Sequence, residues 1–226
     1  MKRIFQIVLV ILAVFLAVLA FRSIMRPEKF RIVYDLRKNE IRDRLITLRA
    51  AQTVYKNEKK TYASDIDKLV DFVNNGKISI VKNVGNIPEG MTEDEAFKTG
   101  LLKKEVVLIP AKNRILEADP TLASHLKDFQ FIPFTKGKKF TIQCDSIKSA
   151  TYTIPVYRIE VPLDDILANM SESISPENSG VLKRIFNRLI YNKLAEEKQY
   201  RRQYGIIWMG SLNEANTSGS WEAFGN

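Results

Sequence analysis

One cysteine and one histidine are all the thiol and imidazole that 226 residues offer. A lone thiol cannot close a disulfide within the chain, so the fold must hold without a covalent staple. A Cys–His pair could be written only as Cys144 with His125, and no residue at a telling spacing orients it. Cys144 continues the alternation of Phe140 and Ile142, which predicts a buried strand thiol. HExxH, CxxC and a glycine-rich phosphate loop are all missing, and no metal or cofactor is expected. Charge of one sign is not gathered either. The 35 Lys and Arg are interleaved with 26 Asp and Glu, giving a net charge of +9 without a basic stripe broken by stacking aromatics. That pattern reads as a solvated basic surface or one meeting an anionic partner, and specific nucleic-acid binding is not expected.

What the chain does contain is a long apolar run. Ile4 to Phe21 carries a single glutamine, follows Met1-Lys2-Arg3, and would extend about 27 Å as a helix at ~1.5 Å per residue. Together with Ser23, Ile24 and Met25 it approaches the ~30 Å of a bilayer core, which predicts a signal anchor stopped by Pro27. Ile4, Phe5, Leu9, Leu12, Phe15, Leu19 and Phe21 would face lipid, and Ala13 with Ala17 would admit a partner helix. The rival is a signal peptide cut after Ala20. The expected place is the inner membrane, single-pass, with the C-terminal domain in the periplasm.

Beyond Pro27 the spacing predicts an amphipathic helix over Lys29 to Lys59, with Leu36, Ile41, Leu45, Leu48, Gln52 and Tyr55 on its apolar stripe. Ser64 and Asp67 suggest a capping box for a helix ended by Asn75-Gly76, and Thr92 with Glu95 a second box for a helix closed by Gly100. Strands are predicted at Lys77–Lys82, Glu105–Ile109, Phe129–Phe134, Lys139–Cys144 and Thr151–Glu160, with turns at Lys136-Gly137 and Asp145-Ser146 and a short helix over Pro120–Asp128. Leu163–Met170 reads as one short helix, Ser171–Gly180 as a linker, and Val181 to about Tyr200 as a basic amphipathic helix before a strand around Ile206 and a polar tail bearing Trp221. The expected organisation is an anchor at 1–26, an α+β ectodomain at 27–170 and a C-terminal appendage at 171–226. In fold class this is a transmembrane helix continuing into an amphipathic helix packed on a small antiparallel sheet, with a C-terminal amphipathic helix.

Leu45-Ile46-Thr47-Leu48-Arg49-Ala50-Ala51-Gln52-Thr53-Val54-Tyr55, followed by Lys60-Thr61-Tyr62-Ala63-Ser64 and Ile66-Asp67-Lys68-Leu69, resembles type IV pilins and the pseudopilins of type II secretion. It also resembles an uncharacterised group of membrane-anchored proteins from Bacteroidetes. The resemblance covers about residues 1–75. It departs at the processing point, where Ile4 precedes Phe5, and at Leu9, where such a helix would carry a glutamate. It implies a non-enzymatic envelope protein, a structural or interaction subunit with the lipid bilayer and other proteins as partners. Leu36, Ile41, Arg184, Arg188 and Trp221, with Ala13 and Ala17, are the candidate contacts. The alternatives are a true pseudopilin and an envelope hydrolase using Asp164, Asp165 or Glu160; for the adjacent aspartates, charge at a helix start is a sufficient explanation.

Overall fold

The computed structural model describes residues 2–87, 89–148, 151–174, 180–196 and 205–222, and the side chains of these except residues 19, 21–26, 186 and 192–196. Its first element, α1, is a 58-residue helix over Lys2–Lys59. Pro27 lies inside it, so the expected stop is corrected. A proline forfeits one backbone bond and crowds one carbonyl, a local cost that a long ladder on both sides can absorb.

The chain gathers into two compact units. The first takes residues 1–42, 132–138 and 161–207, and the second residues 43–131, 139–160 and 208–226. In the first unit Phe30, Tyr34, Arg37 and Ile41 of α1 are buried at steps of three and four, whereas Leu36 is 62% exposed. Leu36 was thus assigned to the wrong face; the true stripe runs through a tyrosine and an arginine. The same unit holds α5 (Leu163–Leu167), α6 (Met170–Ile174) and α7 (Val181–Glu196). Asn169, at φ 51°, turns the chain between α5 and α6, so the single helix predicted over Leu163–Met170 is two short ones. The end of the predicted basic helix, 197–200, lies outside the described residues.

The second unit builds its core from the last turns of α1, where Leu45, Leu48, Ala51 and Gln52 are fully buried. The Gln52 carboxamide donates to the Ala63 carbonyl at 2.8 Å and accepts from the Ala63 amide at 2.9 Å, fixing the return of the chain after α1. Helix α2 (Ile66–Asn75) follows, capped by Asp65 rather than by Ser64. Its apolar face buries Ile66, Leu69, Phe72 and Val73, and Phe72 meets Tyr55 edge to face with ring centroids 4.9 Å apart. Helix α3 (Glu93–Lys98) has the reciprocal Thr92–Glu95 capping box that its sequence predicts. Helix α4 (Ala111–Ala118), which had not been expected, buries Ala111 and Ile115.

Two small antiparallel sheets complete this unit. Strands β1 (Lys77–Gly85) and β2 (Leu102–Pro110) form a two-stranded ribbon in which Ile80 faces Val107 and Val81 faces Val106. Strands β3 (Ile142–Lys148), β4 (Thr153–Val161) and β5 (Ile207–Ser211) form a sheet in the order β3-β4-β5. Phe129–Phe134 is not a strand: only an isolated bridge joins Phe131 to Lys139, and Phe134 has φ 64°. Asp145-Ser146 is not a turn either, since both residues pair with β4. Cys144 is exposed, with its thiol 3.4 Å from the Ala63 carbonyl, because β3 runs past the core edge after the buried Ile142. The buried-thiol expectation is therefore corrected.

The expected fold class is corrected in the same way. The described chain is α+β with two small sheets, and among its described residues no helix is long and apolar enough to cross a membrane.

Candidate functional site

The anchor residues Ile4, Phe5, Leu9, Leu12 and Phe15 are between 49% and 68% exposed on α1, and Leu19 and Phe21 lie outside the described side chains. Ala13 and Ala17 are exposed as well. Nothing among the described residues covers this run, and with no helix among them long and apolar enough to cross a membrane, the lipid bilayer as partner, the inner-membrane location and the single-pass envelope subunit lose their support. Of the proposed contacts, Ile41 is consumed in the chain's own core, Arg184 and Arg188 are exposed on α7, and Trp221 is half-buried. Among the hydrolase candidates, Asp165 is 8% exposed and accepts two bonds from the Lys138 ammonium at 2.8 and 2.7 Å. Glu160 is held by Arg158 at 3.2 Å. No group of three or more His, Cys, Asp or Glu among the described residues could hold a metal ion.

The buried polar groups serve packing. Tyr157 is 1% exposed and its ring lies 4.5 Å from that of Tyr62; burial drives its phenol far above the ordinary range, so it stays protonated. Cys144 is exposed as a residue, but partial desolvation of its sulfur, beside the Ala63 carbonyl, raises the thiol pKa.

What remains unsatisfied is the ribbon. Residues opposite one another in an antiparallel pair share a face, so Val81, Val106 and Leu108 form one apolar cluster. They are 58%, 63% and 62% exposed. The opposite face buries Ile78 and half-buries Ile80, Val107 and Ile109. Among the described residues neither strand has a second neighbour, so the outer edge of each presents unpaired backbone N–H and C=O groups. Beside β1 lies a groove of about 290 Å³. Its walls are Val54, Asn57 and Glu58 from the end of α1, Arg114 from α4, and four consecutive residues of β1 from Ile78 to Val81. Because side chains alternate along a strand, a wall of four consecutive residues means that the groove follows the strand edge rather than one face.

Charge around the ribbon is one-sided. Lys77, Lys82, Lys103 and Lys104 stand on it against a single carboxylate, Glu105, which faces Lys82. Lys104 also lies over the Phe97 ring, 5.2 Å from its centroid. Sequence reasoning had located these strands but had not singled them out. The signal was present: Ile78, Ile80 and Val81 with Val106 to Ile109 make both strands apolar on both faces, more than a two-stranded ribbon can bury.

Comparison with protein-family models, with curated proteins and with solved structures gives no match. The resemblance to pilins and pseudopilins thus has no support beyond the quoted phrase. In the structure the residues of that phrase have a local task, closing the α1–α2 turn through Gln52, Tyr62 and Ala63.

Proposed function

We propose that this chain is a non-catalytic binding protein whose β1–β2 ribbon takes up an extended polypeptide segment as a third strand along β1. The observation that carries this reading is the incomplete sheet, with an apolar cluster at Val81, Val106 and Leu108 facing water beside an unpaired strand edge. A two-stranded ribbon is marginal by itself, and strand addition supplies backbone bonds for affinity and alternate side-chain contacts for choice. The lysines define the partner's chemistry: apolar residues alternating with Asp or Glu, the former continuing the cluster and the latter, on the opposite face, meeting Lys82 of β1. Lysine on an edge also deters self-association, and in that role too it selects an acidic strand over a second copy of itself.

Selection from a random peptide pool against the full chain tests this, with a Val81→Lys, Val106→Lys double variant as counter-selection. Peptides of alternating apolar and acidic residues should be retained by the native chain, released by added salt, and lost to the variant. Retention of nothing, or equal retention by both proteins, contradicts the reading.

A further inference from the structure

In the first unit, Arg37 is 2% exposed, and its five guanidinium hydrogens go to neutral oxygens. One nitrogen donates to the Ile166 and Ala168 carbonyls, and Nη2 donates to the Asn169 carbonyl at 3.0 Å. The remaining edge, Nε and Nη2, converges on the Ser173 hydroxyl at 3.2 and 2.6 Å. The Phe134 ring lies over the guanidinium 4.8 Å from its carbon. Burial lowers the Arg37 pKa to about 10, while the charge of Glu172 works the other way; the group is a desolvated cation at neutral pH.

The Nε–Nη2 edge is the pair of parallel donors that grips an oxyanion through two oxygens. Here it is spent on one hydroxyl, and Ser173 is itself exposed. We propose that Ser173 is a phosphorylation site and that Arg37 is the seat of its phosphoryl group. The donor is a nucleoside triphosphate bound to a protein kinase. Ser173 Oγ attacks the γ-phosphorus, the new O–P bond forms as the bond to the departing nucleoside diphosphate breaks, and the hydroxyl proton passes to a base of the kinase. Two non-bridging oxygens then replace the hydroxyl on Nε and Nη2, turning bonds from a cation to a neutral oxygen into bonds between opposite charges without displacing the three carbonyls. The product is a firmer α5–α6 corner, since the same guanidinium holds Ile166, Ala168 and Asn169.

The test is a full chain carrying phosphoserine at position 173, installed by genetic code expansion and titrated by ³¹P NMR with and without denaturing urea. A seated phosphate loses its second proton more readily in the folded chain, by about tenfold or more in proton affinity, as expected for an opposite charge within hydrogen-bonding distance. Glu172 opposes that shift, and since α7 with Lys183 and Arg184 also packs on α6, a lowered value that persists in a Lys183→Gln, Arg184→Gln background and is lost in Arg37→Gln assigns the shift to Arg37. Equal values folded and unfolded, or loss of the folded spectrum on phosphorylation, overturn the proposal.

Discussion

The second unit contains two sheets of similar residues and opposite exposure. β4 reads Thr153-Ile154-Pro155-Val156-Tyr157-Arg158-Ile159-Glu160-Val161, lies between β3 and β5, and buries Val156, Tyr157, Ile159 and Val161. β1 and β2 are at least as rich in Val, Ile and Leu, yet bury only Ile78 and Leu102. Strand propensity explains why both form; it says nothing about how many neighbours each acquires. The central strand of the three-stranded sheet has its edges filled, and the ribbon has not. Apolar surface left uncovered beside free backbone is the observation on which the strand-addition proposal rests.

The sharpest break in that symmetry is deletion at matched positions. Ile159→Ala, at a fully buried site opposite Ile142, should cost about 2–5 kcal/mol, whereas Val106→Ala should change stability by about 0.5 kcal/mol or less. Urea melts of the two variants read the difference directly. Next comes Gly210→Ala in β5. Its φ is 79° and an added Cβ would sit 2.2 Å from the Tyr157 carbonyl oxygen, so a loss of about 3 kcal/mol or more is expected. Gly100→Ala beside the ribbon has φ 75° but open space, and should cost only about 1–2 kcal/mol. Third, Gln52→Ala leaves the Ala63 amide and carbonyl without their partner in a buried turn, an expected loss of about 1–3 kcal/mol in thermal or urea unfolding.

The smallest effect is acid-dependent. Burial pushes the Glu222 carboxyl up, but its bonds from Arg49 at 2.7 Å and from the Gly219 amide outweigh that and leave it below the ordinary carboxylate value. A carboxyl depressed in the fold stabilises it above the unfolded pKa near ~4.3, and that contribution fades as pH falls through the folded value. Glu222→Gln should therefore cost about 1 kcal/mol or less at pH 7 and nothing at pH 2, read from urea midpoints at each pH; the pair is partly exposed, which caps its worth.

Much of the backbone was legible from residues alone. The Thr92–Glu95 box needs only local chemistry, and the helix ending near Lys59 needs only its stripe. Features set by distant partners were not. Arg37 falls on the stripe between Tyr34 and Ile41, but its charge argued for solvent; the carbonyls that receive it come from residues 166–169. Leu36 looked like the stripe's member because it is apolar, though it is one step out of register. Helix α4 was hidden because only Ala111 and Ile115 are buried in it, too few to mark a period. Asp145-Ser146 resembles a turn in composition, and pairing with β4 overrides that preference. The candidate site was half legible: its strands were, while the stop at two strands among the described residues is a fact of tertiary structure.

Amide hydrogen exchange across β1 and β4 tests the central claim most directly, measured on the full chain alone and with an acidic alternating peptide from the selection. The amides of Val156 to Ile159 should exchange slowly in both samples, while alternate amides of Ile78 to Asn83 should exchange rapidly alone and become protected with the peptide. Uniform protection of β1 in the free protein, or no change in it on adding the peptide, would contradict an open strand edge that another chain completes.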